Sequence, residues 1–417
     1  MQICLYEDTS YPGLFPLVYL RPVYDLRCGV FTLREKIIRL LPRASVTLSA
    51  RPELLPLLQE DNPGTRINQL DDLPTWFVNG RTLVDDELKK IVSARSPDEA
   101  AYCHDDEIVA AFVSPSKIKT LSTRISHFHD QDLFQDLPQR TVGTNLVTYP
   151  WDIIRWNHLE LERDFTTIRG DRSRKTLRGF RGVHFINPRN ISLGRGTRLQ
   201  PGVVLDADQG PVIIGENVQV MPNAVLQGPV YIGSGSIVKI GAKIYPGTSV
   251  GPMCKIGGEI DGSVFQSHSN KQHDGFLGHS YLASWINLGA DTNTSDLKNT
   301  YGPVSVVLDG KSYQTGMQFL GLIMGDHSKT GINVTLNTGS IIGVSCNIFG
   351  PELPPKFLPS FSWGRGTSYE TYDAGKSLET ARLVMARRNV RMTPSYETLF
   401  KGVFQATATH RMQENVR

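Results

Sequence analysis

The chain has 417 residues, enough for two or three domains of ordinary size. Lysine and arginine total 44 against 41 aspartate and glutamate, a formal charge of +3, which speaks against a large nucleic-acid footprint or a polybasic membrane arm. Apolar residues at 40% exclude a disordered chain, no run approaches the roughly 18 apolar residues of a membrane-spanning helix, and the N-terminal MQICLYEDTSYPGLF lacks the basic start and apolar core of a secretory signal, so a cytoplasmic location is expected.

Residues 1–150 alternate strand-like and helix-like stretches, as an α/β domain does. Residues 33–41 read as a helix, and 44–48 and 76–79 as short strands. The order Phe15-Pro16-Leu17, Arg21-Pro22, Gly29, Glu35-Lys36 resembles the start of sugar nucleotidyltransferases. That resemblance implies nucleotide-binding roles for Arg21, Arg27, Lys36 and Asn79. Two departures accompany it. The family's Gly-x-Gly-Thr-Arg loop, whose backbone N–H groups hold phosphates, is replaced by residues 7–13. The strand-ending Asn-Gly-Asp, which supplies a carboxylate to Mg²⁺, reads Asn79-Gly80-Arg81. Mg²⁺ is therefore expected only if this domain is active. Tyr149-Pro150-Trp151-Asp152-Ile153-Ile154 with Asn157 resembles the connector of related sugar-nucleotide enzymes, and 151–182 is taken as the linker.

Every sixth residue from Ile214 is aliphatic: Val220, Leu226, Ile232, Val238, Ile244, Val250 and Ile256 follow. The spacing is anticipated at Leu193, Leu199 and Leu205 and returns at Met324, Leu336, Ile342 and Ile348, with Thr330 the one polar exception. A period of six fits neither the helical 3.6 nor the strand's 2. It fits a triangular solenoid with one short strand per side, an aliphatic residue pointing inward from each, and a small residue or turn at each corner. The pattern resembles the hexapeptide-repeat acyltransferases over residues 183–350, which implies a left-handed parallel β-helix.

The repeat is expected to break between Ile256 and Met324, with Leu282 and Leu288 keeping phase and 291–318 forming an excursion or hairpin. His268, His273 and His279 fall in this break. Imidazole suits a general base near neutral pH, and three histidines could equally ligate a metal. Lys271-Gln-His273-Asp-Gly-Phe276-Leu277-Gly278, followed by Asn287-Leu-Gly-Ala290-Asp-Thr292, resembles the acetyltransferase domain of the bifunctional uridylyltransferase/acetyltransferase family. The resemblance implies His273 as catalytic base. It also implies substrate contacts from Lys271, Phe276, Asn287, Thr292 and Lys298, and acyl-CoA contacts from Ala290 and Lys329. Phe276 replaces the family's Tyr, Tyr245 an Arg, and Asp291 a Gly, while Asp296 would repel a phosphate.

After Asn347 a Pro-rich run closes the solenoid, and 377–389 and 395–407 read as amphipathic helices; the tail is 351–417. Cys4, Cys28, Cys103, Cys254 and Cys346 are scattered and odd in number, as free thiols are in a reducing compartment. The expectation is an acyltransferase using acetyl-CoA or another acyl-CoA on a sugar phosphate or nucleotide sugar in cell-envelope precursor synthesis. Family resemblance implies a homotrimer. Two alternatives stay open: a non-catalytic sugar-nucleotide-binding scaffold, and a metal-dependent β-helix hydratase using His268, His273 and His279.

Overall fold

The computed structural model describes residues 1–122, 131–171, 177, 179–308 and 310–416. Near the N-terminus a seven-stranded mixed sheet forms, its strands ordered 66–67, 45–49, 2–6, 75–79, 107–113, 100–104 and 139–141. The strands Gln2–Tyr6, Ser45–Ser49 and Thr75–Asn79 pair in parallel and are largely buried, so they read as apolar runs without alternation. The helix expected over 33–41 spans Leu33–Ile38; the Thr32 hydroxyl accepts from Glu35 N–H and Glu35 reaches back to Thr32, a capping box that fixes its start.

From His184 the chain winds into a three-faced prism of parallel strands. The first face runs from His184–Ile186 to Phe276–Gly278, and the second from Ile191–Leu193 to Phe357–Leu358. The third carries Arg198–Leu199 through Asn270–Lys271 and then, by single bridges at Asn287, Lys329–Thr330 and Asn347–Ile348. All eight hexad residues from Ile214 to Ile256 are buried in the central column.

The expected break after Ile256 is instead a slip in phase. The coil shortens at Gly257–Gly258, where Gly258 has φ +70°, and the inward positions become Ile260, Phe265, Lys271 and Leu277. Coils continue through Asn293–Thr294, so the true excursion begins later than expected, after Thr294 and up to Leu322–Met324. It carries the antiparallel hairpin Ser305–Leu308 with Lys311–Gln314.

The connector helix Pro150–Asp171 lies against the prism: Asn157 donates to Gly247 O (2.7 Å) and its oxygen accepts from Gly29 N–H (2.6 Å) and Ser249 Oγ (3.1 Å). The tail forms helices Ala374–Ala386, Pro394–Ala406 and Ala408–Gln413; the second meets helix Leu55–Asp61 of the N-terminal domain. One hydrophobic cluster runs from the N-terminal sheet through the prism to the tail. Among the described residues no helix is long and apolar enough to cross a membrane. All five cysteines are free thiols.

Candidate functional site

Strand order assigns each histidine of the former break to a corner. His268 lies between Val264–Phe265 and Asn270–Lys271, at the second-to-third corner. His273 lies between Asn270–Lys271 and Phe276–Gly278, at the third-to-first. His279 lies between Phe276–Gly278 and Tyr281–Leu282, at the first-to-second. One chain therefore does not gather them into a ligand set, and among the described residues no group of three His, Cys, Asp or Glu could hold a metal. Within one chain, the three histidines therefore do not form the ligand set of the hydratase alternative. His268 stacks on Trp285 (4.2 Å between centroids), which in turn stacks on His327.

His273 is exposed at its corner, and Ala290 occupies the same corner one coil on, where Asp291 N–H donates to Asp274 O (3.1 Å). Asn287 and Lys329 sit in register on the adjoining third face. The structure thus brings His273 and Ala290 to one corner of the prism with Asn287 on the adjoining face, while the Lys329 amino group turns to the opposite corner of that face. Phe276 is half-buried at the start of Phe276–Gly278, the last strand of the first face.

Other expected contacts are not free for substrate. Lys271 points into the column, in register with Ile256, and its Nζ donates to the carbonyls of His273 (2.8 Å) and Asp274 (3.3 Å). Thr292 is buried with its hydroxyl on that of Thr330 (2.8 Å). Lys298 donates to Pro303 O (2.6 Å) within the excursion. Lys329 Nζ donates to His327 O (2.7 Å), and burial pushes its pKa down to about 8.

A second constellation was missed by sequence reading. His279 Nδ1 and Asp296 Oδ2 are 2.8 Å apart, and the ring lies over Gly262 and against Phe319. His279 lines a groove of about 330 Å³ between the connector helix (Arg155, His158), the Pro246–Gly247 corner and Met317–Phe319 of the excursion, with Asp296 behind its ring. The signal was present: a separation of 17 residues is one coil here, so His279 and Asp296 must stack at one corner.

At the N-terminal site the residues in place do not fit Mg²⁺. Arg81 is fully buried and pairs with Asp8 (2.5 Å) and Glu107 (2.6 Å), while Arg51 pairs with Glu7 (2.5 Å), so the carboxylates are already neutralised. Asn79 donates to Asp8 (2.8 Å). The other expected nucleotide contacts are engaged elsewhere: Arg21 pairs with Asp326 of the prism, Arg27 donates to Val30 O, and Lys36 pairs with Glu160 (2.5 Å) and Asp164 (2.9 Å) of the connector. Arg21, Arg27, Lys36 and Asn79, expected at a nucleotide pocket, are thus all engaged by groups of the protein itself.

Residues 3–173 match the family model described as sugar nucleotidyl transferase, and 211–239 that of bacterial transferase hexapeptide (six repeats). An uncharacterized acetyltransferase of Escherichia coli, YaiX, is 31% identical over 168 residues, which are 40% of this chain and 73% of that protein. The chain belongs to the GlmU-like family, which joins a sugar nucleotidyltransferase domain to hexapeptide repeats. The bifunctional protein GlmU of Methanococcus vannielii is 36% identical over 212 residues, 48% of this chain and 43% of that protein. A bifunctional sugar-1-phosphate nucleotidylyltransferase/acetyltransferase of Sulfurisphaera tokodaii is 35% identical over 143 residues, 34% of this chain and 36% of that one. The GlmU-like chain thus spans under half the length of these two bifunctional relatives. Within it, the described geometry offers two separate imidazoles: an exposed one at position 273 and a carboxylate-oriented one at 279.

Proposed function

We propose that this GlmU-like chain is an acyl-CoA-dependent acyltransferase acting on a sugar phosphate or nucleotide sugar, cytoplasmic, and working as a homotrimer. The observation that carries the reading is the corner where His273, exposed and with no side-chain partner among the described residues, stands one coil from Ala290, with Asn287 on the adjoining third face. An acceptor amine or hydroxyl attacks the thioester carbonyl carbon, and His273 takes the proton the nucleophile must lose. The C–S bond then breaks, and the imidazolium returns the proton to the departing thiolate. Asn287 lies on the face that a bound donor or acceptor would follow. The N-terminal domain in this reading carries no Mg²⁺ chemistry, because Arg81 occupies the carboxylates Asp8 and Glu107 that a metal would need.

A second reading of the base rests on the His279–Asp296 pair. A carboxylate on Nδ1 fixes the tautomer and leaves Nε2 to accept a proton. Acetyl-CoA turnover over a panel of amino sugars and sugar phosphates separates the two. His273→Ala should lower kcat by 10²-fold or more (about 10²–10⁴ for a lost general base), with His279→Gln close to wild type. The reverse pattern moves the base to His279. Full activity in both variants removes the mechanism.

A further inference from the structure

A cavity of about 160 Å³ opens where four separate parts of the chain meet. Pro12, Phe15, Pro16 and Tyr19 come from the N-terminal domain, and Leu308 from the end of the excursion hairpin. Phe357 and Pro359 come from the end of the second face, and His410 from the final helix, Ala408–Gln413. The cavity shares no lining residue with the His279 groove, and His273 is not part of its walls.

Charge is missing from the lining: among the described residues no Lys, Arg, Asp or Glu faces the cavity. An ion brought there would lose its water and gain no counter-charge, so phosphates and carboxylates are disfavoured. Apart from Leu308, the side chains that line it from these four parts are rings, proline among them, with little rotamer freedom left to lose. Phe15 and Tyr19 stack face to face (3.9 Å between centroids, 8° between planes), and Tyr11 meets Phe15 edge-on (5.9 Å, 82°), so this wall is braced before any guest arrives. The rings of Phe357 and His410 stand at 74° to each other, 6.5 Å apart. Flat, rigid faces set at different angles suit a flat, rigid guest, which can stack on one and meet another edge-on. A flexible alkyl chain of the same volume would lose conformational freedom on entry. The size agrees, since an apolar cavity of about 150 Å³ holds one benzene-sized ring. Phe15, Tyr19 and Phe357 are each only half-buried, which leaves apolar surface for a guest to cover.

We propose that this cavity is a binding site for a small uncharged molecule built on one aromatic ring. Its walls join the N-terminal domain to the final helix, so the guest binds only while the tail is docked and stabilises that docked state by mass action. The site goes beyond the acyltransferase reading and does not depend on turnover.

The test is saturation-transfer NMR and thermal melting of the full chain with benzyl alcohol, phenol, benzoate and n-hexanol. The variants are His410→Trp, which puts a larger ring into the lining, and Tyr19→Ala, which takes away part of the flat wall, with circular dichroism as the check on folding. The expected result is saturable binding of benzyl alcohol or phenol at millimolar concentration or below, with a rise in Tm. Benzoate, the same ring with a charge, should bind at least tenfold more weakly than benzyl alcohol, and n-hexanol severalfold more weakly. Affinity for the neutral rings should fall at least tenfold in His410→Trp and severalfold in Tyr19→Ala. No saturable binding of either neutral ring by wild type overturns the proposal, as does undiminished affinity in either folded variant. Benzoate or n-hexanol binding as tightly as benzyl alcohol overturns it too, the first by removing the preference for neutral guests and the second by removing the preference for a ring. Should one variant fail to fold, the other carries the same expectation.

Discussion

Lys271 occupies a column position that earlier coils give to Val220, Val238 and Ile256. Burial pushes its pKa down to about 8, partly offset by Asp274 and Asp291, against 10.5 in an unfolded chain. The unfolded state therefore binds more protons between about pH 8 and 10.5, and the protein should gain stability as pH rises through that window. Lys271→Met should flatten that rise and, below pH 8, gain about 1–2 kcal/mol, a discounted share of the shift. Urea midpoints at pH 7.5 and 10 check this, and an equal rise in the variant would count against it. Arg81 behaves oppositely. Arg81→Met leaves Asp8 buried and unpaired and should cost about 3–5 kcal/mol in urea unfolding. Sequence showed that Arg81 stands where a metal-binding carboxylate is expected. It did not show that Asp8 and Glu107 would close around it, because those partners come from other strands. Lys271 misled for a related reason: its neighbours matched a substrate loop, but the phase slip at Gly257–Gly258 turned it inward.

The coils of the prism are so close that several glycines are obligatory. A Cβ at Gly251 would meet Gln266 O at 1.8 Å, a backbone atom of the next coil that cannot step aside. Gly251→Ala should destabilise by about 3 kcal/mol or more, because overpacked positions with no room to relax are the costly ones. Gly402 is a contrast: nothing lies within 4 Å of its absent Cβ on helix Pro394–Ala406, and Gly402→Ala should stabilise by about 0.5–1 kcal/mol. Thermal melts of the two variants should move in opposite directions. The prism was legible because each coil repeats one physical demand, an apolar residue inward at fixed intervals. Two of the three tail helices were legible too, at Ala374–Ala386 and Pro394–Ala406, a few residues from their expected limits. The slip and the onset of the excursion were not, since both depend on how a glycine corner shortens one turn.

Across the whole molecule, the N-terminal sheet and the prism share one core and a buried ion pair. Arg21 binds Asp326, which also accepts from Ser284 N–H (3.0 Å) and has no exposed side-chain surface. Asp326→Ala should cost about 3–5 kcal/mol by stranding the guanidinium. Wild type should unfold in a single transition seen alike by circular dichroism and tryptophan fluorescence, and two separated transitions would contradict the shared core.

The Arg21–Asp326 pair also sets a timetable during synthesis. Its partners are 305 residues apart, so at roughly 5–20 residues per second Arg21 leaves the ribosome about 15–60 s before Asp326. The helix at Leu55–Asp61 waits longer still for Pro394–Ala406. For that interval the nascent N-terminal half displays a surface made for a partner not yet translated, and a chaperone or a ribosome-bound neighbour would meet it there first.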